Sequence, residues 1–432
     1  MESNICKFFS GKNILITGAT GLVGTCLVEK LLRVVPDVGF IYLLIRTKKE
    51  QNFNKRVNEY FSNEIFNKVK NQNPTYLHKI VWLHGDITKA NLDLTPEMIE
   101  TIHTNVNIIV NSAACLNQIT PLRNAIKYNI YGTNELLKIA KGCAFLDCFM
   151  HISTAYVNHR RSEHEIDEKL YIHPVDPEIL MVMSDELTSE ELERESANLM
   201  MDWPNTYTYT KNASENLVYK YRNHFKIGIF RPGSIIESYA EPFPYWIKNP
   251  NGFTSVLSKA HLGYMVDLNP KAPGNAPPVD FCVNCILAAS NEVASNDRAH
   301  IKFYNFSLYT QTWADLYTSY MKGIHNPWLI FGSFKDRLSC HLKDLYLEMI
   351  GKPARNIDTI RRHEKMIRVL HYFMNKEFNF FTKNVDCLWS SLNAVDQRMF
   401  LFDMHEIDWD SFYKNMHEHH QKAIPDDSTF KT

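Results

Sequence analysis

Thr17-Gly18-Ala19-Thr20-Gly21-Leu22-Val23-Gly24 is the stretch that decides the fold of this chain. It follows Asn13-Ile14-Leu15-Ile16, a short apolar run of the kind that forms a buried parallel strand. After it the apolar spacing becomes helical, through Cys26-Leu27-Val28 and Leu31-Leu32. A glycine turn between strand and helix leaves the first helical amides free to face a phosphate, and the helix dipole adds partial positive charge there. Gly21 is expected to let backbone approach a pyrophosphate, and Gly24 to let the helix pack closely. Thr17, Gly18, Thr20, Gly21, Leu22, Val23 and Gly24 are therefore candidate dinucleotide contacts.

Downstream, strand and helix patterns alternate. Phe40 to Ile45 reads as a second strand, ending in Arg46. A carboxylate at that strand end bonds the ribose hydroxyls of NAD. Here Arg46 and Lys48 stand instead, with Arg56 in the next helix, and cations suit a 2′-phosphate. The expected cofactor is NADPH rather than NADH. Val81 to Ile87 reads as a third strand running into a turn, where Asp86 either accepts from an adenine amino group or serves only the turn. Ile87 lies beside it. Asn107 to Ala114 reads as a fourth strand, and its small residues Ser112, Ala113 and Ala114 would let a cofactor lie over the strand ends. This alternation predicts an α/β fold, a doubly wound parallel sheet of Rossmann type.

The fifth strand, Cys148 to Ile152, ends in Ser153-Thr154-Ala155-Tyr156. A hydroxyl at this end sits in the crevice where such sheets bind ligands. Thr154 or Ser153 is expected to hold a substrate carbonyl oxygen. About fifty residues on, Tyr207-Thr208-Tyr209-Thr210-Lys211 puts a phenol and an ammonium on one helix face. Tyr207 is the candidate proton donor. Lys211 and the nearby nicotinamide cation are expected to lower its pKa, and Lys211 to bond the nicotinamide ribose. Between these segments, residues 160–204 form a long insert with an acidic helix around Glu190–Glu195, placed to shape a substrate pocket.

The bulk numbers agree with such a protein. The chain has 432 residues, 45% of them hydrophobic, which predicts a folded protein of two or three domains. A net charge of −1 gives no footprint for nucleic acid. Nine cysteines without regular spacing fit a reducing compartment. Cys282-Val283-Asn284-Cys285 has no second pair at zinc-ribbon spacing, so no metal site is expected. No apolar run reaches the roughly 18 to 20 residues that span a bilayer.

Taken together these residues resemble the fatty acyl-CoA reductases, alcohol-forming members of the extended short-chain dehydrogenase/reductase superfamily. The resemblance includes Asn205 to Lys211, and Arg231-Pro232-Gly233-Ser234-Ile235-Ile236 followed by Glu241-Pro242-Phe243-Pro244-Tyr245-Trp246. It extends to Pro278-Val279-Asp280, to Phe400-Leu401-Phe402-Asp403 and to Ile407-Asp408-Trp409. It implies that Pro232, Gly233, Ser234 and Ile235 lie near the nicotinamide. It also implies a catalytic domain over 1–325, with substrate segments at about 237–280, and a small helical C-terminal domain over 326–432. The implied reaction is NADPH-dependent reduction of long-chain acyl-CoA to a primary alcohol, with release of CoA. The place implied is intracellular, in the cytoplasm or peripheral on an endoplasmic reticulum or peroxisome membrane. Arg160, Arg161, Arg361 and Arg362 are candidates for CoA phosphates, with plain solvated charge as the other reading. The Tyr–Lys pair alone also permits another carbonyl substrate, such as an aldehyde, a sterol or a nucleotide sugar. A silent scaffold that binds NADPH or acyl chains is the alternative of a different class.

Overall fold

The computed structural model describes residues 2–47, 52–158, 165–248, 269–296, 301–307, 311–321, 349 and 371–423. Seven strands form one sheet: β1 (Ile14–Thr17), β2 (Ile41–Ile45), β3 (Ile80–His84), β4 (Ile108–Asn111), β5 (Cys148–Ile152), β7 (Ile227–Pro232) and β8 (Lys302–Phe306). A short β6 (Glu165–Ile166) pairs separately with β9 (Asn379–Phe380). The order in the large sheet is β3-β2-β1-β4-β5-β7-β8, and every neighbouring pair is parallel. Strands β1, β2, β4, β5 and β7 are buried at every position, so they read as unbroken apolar runs rather than alternating ones. The order reverses between β1 and β4, which opens a crevice at their carboxyl ends.

Gly18 makes that crevice work. Its φ is +68°, and a Cβ there would lie 2.7 Å from Ala113 N and from Ser112 C. No residue with a side chain fits both the left-handed backbone and the approach to the end of β4. Gly24 has a parallel role one turn into helix Leu22–Val34, where a Cβ would lie 2.4 Å from Gly18 O. The first turn of the helix thus rests directly on the glycine turn.

The insert folds as its caps dictate. Asp176 accepts from Glu178 N ahead of Pro177, opening helix Pro177–Glu186. Thr188 and Glu191 form a capping box that opens helix Ser189–Met200. Asn205 accepts from Thr208 N at 2.9 Å and opens the catalytic helix, Thr206–Lys220.

The chain divides into two compact units. The first is Met1–Lys248, Pro277–Ser307 and Phe380–Met404; the second is Asn249–Ala276, Leu308–Asn379 and His405–Thr432. A single boundary after residue 325 does not describe this division. Residues Phe380–Met404 are tied into the first unit by Asn384 Nδ2, which donates to Phe303 O at 2.8 Å on β8, and by Asp396, which accepts from Ser3 Oγ at 2.5 Å. Lys30 adds a bond to Met399 O at 2.5 Å. In the second unit, helix Trp313–Met321 packs against helix Trp409–Ala423, with Ser319 Oγ donating to Asp410 Oδ1 at 2.6 Å. Among the described residues no helix is long and apolar enough to cross a membrane. Cys282 and Cys285 are buried free thiols of helix Val279–Ser295.

Candidate active site

The dinucleotide cradle begins at Thr17, whose buried hydroxyl donates to Asn111 Oδ1 at 2.8 Å and accepts from Ala113 N at 3.2 Å. Thr17, Asn111 and Ala113 therefore join the ends of β1 and β4 directly beside Gly18. Thr20 accepts from Arg56 Nη2 at 3.0 Å, and Arg56 Nη1 donates to Arg46 O. Gly21 is the cap of helix Leu22–Val34, so Leu22, Val23 and Gly24 supply its first, open amides. Arg46 lies over the Tyr128 ring, 5.3 Å from its centroid, and donates to Tyr128 OH at 2.6 Å. Burial lowers the pKa of Arg56, and the nearby Arg46 guanidinium lowers it further. Two cations beside a glycine cradle fit a phosphate dianion. Lys48, also expected here, lies outside the described residues.

Asp86 spends Oδ1 on its own turn, accepting from Thr88 N at 2.9 Å and Thr88 Oγ1 at 2.8 Å. Ile87 backs helix Gly132–Gly142: a Cβ on Gly132 would lie 2.8 Å from Ile87 O. Ser112, Ala113 and Ala114 have left the sheet, because β4 ends at Asn111 where the chain turns to meet Gly18. Pro232 closes β7, and Gly233 N donates to Phe306 O at 2.9 Å, leaving Gly233, Ser234 and Ile235 half-buried.

Tyr207 and Lys211 sit on the first two turns of the catalytic helix, as their spacing requires. Thr154, not Ser153, is the hydroxyl that acts on the Tyr207 phenol, working to lower its pKa. Ser153 Oγ is buried without a hydrogen-bond partner among the described residues. Lys211 Nζ is buried and donates to Ile152 O at 2.6 Å. Burial lowers its pKa to about 8, with the Glu215 carboxylate opposing the shift. The expected lowering of the Tyr207 pKa by Lys211 is not what the protein alone produces. Burial raises that phenol, and the largest opposing influence is the Thr154 hydroxyl.

The chain carries a glycine cradle at the ends of β1 and β4 and, just beyond β5, a hydroxyl beside a phenol and an ammonium borne by the catalytic helix. Family profiles described as male sterility protein match residues 16–286, an NAD-binding part, and residues 336–419. The chain is 33% identical to the fatty acyl-CoA reductase wat of Drosophila melanogaster, over 96% of this chain and 84% of that relative. It is 31% identical to fatty acyl-CoA reductase 1 of Homo sapiens, over 95% and 84%.

The chain belongs to the fatty acyl-CoA reductase family.

Solved structures carry the same fold. The terminal R domain of the myxalamid PKS-NRPS pathway aligns with a TM-score of 0.64 at 18% identity, over 95% of this chain and 91% of that one. The reductase domain of a nonribosomal peptide synthetase from Mycobacterium tuberculosis aligns at 0.61 and 18%, over 98% and 96%.

Several residues of this fatty acyl-CoA reductase family member escaped the motifs. Asn129 lies in a π turn, Ile126–Tyr131, and accepts from Cys115 N at 2.8 Å while donating to Thr210 Oγ1 at 2.9 Å. It thereby holds the loop after β4 to the turn of the catalytic helix that carries Tyr207. His151, buried on β5, faces Asn111 Nδ2 at 3.1 Å through Nδ1 and Ser214 Oγ at 3.3 Å through Nε2. An amide nitrogen only donates, so Nδ1 accepts and Nε2 carries the proton. Ser214 Oγ in turn donates to Lys211 O at 3.0 Å. Burial, with Lys211 nearby, keeps the His151 pKa well below the usual histidine range, so the ring is neutral. A directional chain thus runs from Thr17 of the cradle to the backbone of Lys211. Arg160, Arg161, Arg361 and Arg362 lie outside the described residues.

Proposed function

We propose that this protein reduces long-chain fatty acyl-CoA to the primary alcohol, consuming two NADPH and releasing CoA. The observation that carries this reading is the meeting of Thr154 with Tyr207 at the end of β5, one helical turn from buried Lys211, in a chain of this family. A nicotinamide cofactor fits the Gly18 cradle, and the Arg46–Arg56 pair supports the phosphorylated form. When bound, it supplies hydride to the carbonyl carbon.

The chain's own residues do the rest. Thr154 donates to the carbonyl oxygen and stabilises the negative charge that develops there. Tyr207 gives its proton to that oxygen as general acid. Lys211, charged below a pH of about 8, favours the phenolate that remains and bonds the ribose. As the tetrahedral adduct expels CoA as a thiolate, an easy leaving group given a thiol pKa near 8.5, its hydroxyl proton returns to the Tyr207 phenolate, so Tyr207 is a neutral acid again. The same three side chains then serve the aldehyde, which accepts a second hydride and a second proton to become the alcohol. We further propose, on the family resemblance, that the protein works inside the cell, in the cytoplasm or peripheral on a membrane where acyl-CoA is handled.

The test is turnover of purified protein with NADPH and an acyl-CoA series, following free CoA, aldehyde and alcohol by mass spectrometry. Alcohol with CoA release supports the reading. NADPH oxidation without CoA release, on aldehydes alone, would reassign the protein to a carbonyl reductase.

A further inference from the structure

One turn beyond Lys211, the catalytic helix buries a carboxylate. The Glu215 side chain is fully buried, and so is its partner, Arg231 of β7. The pair is bidentate: Arg231 Nε donates to Glu215 Oε1 at 2.9 Å and Nη2 to Oε2 at 2.7 Å. The guanidinium also donates to Asp167 O at 3.2 Å and Lys169 O at 2.8 Å, so it grips the insert from the same point. Such a pair costs desolvation on both sides, and its retention is weak evidence for a purely stabilising role. Lys211 itself donates to a neutral carbonyl, Ile152 O, which brings no negative charge.

We propose that Glu215 is a positioning residue for the reaction: its carboxylate, fixed by Arg231 one turn beyond Lys211, keeps the buried Lys211 ammonium charged. This rests on the catalytic reading of Tyr207 and Lys211 given above.

Among the described residues, Glu215 is the carboxylate that acts on Lys211. Tyr207 on the same helix is neutral while its proton is held, and His151 from β5 is neutral. Arg231 from β7 is a second cation, and Cys115, after β4, faces Tyr207. Glu168 of the insert acts on Arg231. Glu215 is also the group that opposes the loss of the Lys211 proton on burial.

The experiment is the pH profile of kcat/KM with NADPH and hexadecanoyl-CoA, for the full chain. The wild-type alkaline limb should lie near pH 8. Glu215→Gln should move it acidward by at least about one unit, the usual effect of one close opposite charge. Glu215→Asp keeps the charge and should return the limb towards the wild-type position. Because Gln leaves Arg231 buried and unpaired, the double variant Glu215→Gln/Arg231→Met is made alongside; it removes a like charge as well as the opposite one, so its limb should lie between those of Glu215→Gln and wild type. A folded Glu215→Gln variant whose limb stays in place overturns the proposal, whatever its loss of overall rate. Tyr207→Phe and Lys211→Met are the controls: turnover surviving in either would overturn the catalytic reading itself. Their inactivity with an unmoved Glu215→Gln limb would remove only the role given to Glu215.

Discussion

Arg46→Ala should separate the two nicotinamide cofactors. Arg46 is half-buried at the end of β2, held over the Tyr128 ring and bonded to its hydroxyl. It stands beside Arg56, whose pKa it lowers, so an anion between the two relieves repulsion as well as gaining hydrogen bonds. A hydrogen bond to a charged group contributes about 1.5–3 kcal/mol. Partial exposure places Arg46 towards the lower end, and about 1.4 kcal/mol is a factor of ten. NADPH affinity should therefore fall about 10- to 50-fold. NADH has no 2′-phosphate and loses only cation–π packing near the adenine, about 0.5–1 kcal/mol, or about fivefold at most. The assay is titration of each cofactor by the quenching of protein fluorescence, at low and at physiological salt. The NADPH effect should shrink as salt screens the phosphate. Equal losses for NADPH and NADH would refute the phosphate reading and leave Arg46 a stacking residue only. Tyr128→Phe is the companion variant: it keeps the ring, removes the hydroxyl, and should change NADPH binding less than Arg46→Ala does.

Thr154→Ala should cut kcat by about 10²–10³, as loss of an oxyanion donor does. Ser153→Ala removes a hydroxyl that is already without a hydrogen-bond partner and should leave kcat within about threefold of wild type; the reverse ranking in steady-state kinetics would exchange their roles. Wild-type kcat/KM should fall above a pH of about 8 as Lys211 loses its proton, and a profile flat to pH 10 would remove Lys211 from the mechanism. Glu168 gives a stability prediction. Burial raises its pKa to about 7, although Asn305 N and Asn384 N both donate to it, at 3.0 and 2.5 Å. A carboxyl raised in the folded state contributes stability that is present below its unfolded pKa and lost as pH rises through about 7. The shift corresponds to about 3 kcal/mol at most, and to about 1–2 after solvent screening. Thermal unfolding of wild type should weaken between pH 5 and 8 more than that of Glu168→Gln, and parallel curves would contradict it.

Local pattern carried most of the fold. β5 runs over Cys148–Ile152 as its apolar residues indicate, and the helices of the insert open at Asp176-Pro177 and Thr188…Glu191, whose capping chemistry is visible in the chain. β4 stops at Asn111, three residues before the apolar and small run ends, because the chain must leave the sheet for Gly18 to approach Ser112 and Ala113. β3 likewise ends at His84: Gly85 N makes the last bond to β2, at Ile45 O, and Asp86 N turns away to Leu92 O. At the site, the four-residue step from Tyr207 to Lys211 was legible because both lie on one helix. The choice between Ser153 and Thr154 was not, since adjacent residues at a strand end diverge in ways that only packing fixes. Nor could spacing reveal His151 between Asn111 and Ser214, or Arg231 on Glu215. Those bonds join separate elements, and each residue alone reads as an ordinary core or surface polar group. The π turn that presents Asn129 has no pattern of its own, because its extra residue depends on the helix packed against it.

The most direct test of the central claim is the stoichiometry of one closed reaction: purified protein, NADPH and hexadecanoyl-CoA, quenched over time and analysed for NADPH consumed, CoA freed, and aldehyde and alcohol formed. Two NADPH oxidised and one alcohol made for each CoA released is the predicted result. NADPH oxidised with no CoA released would contradict it.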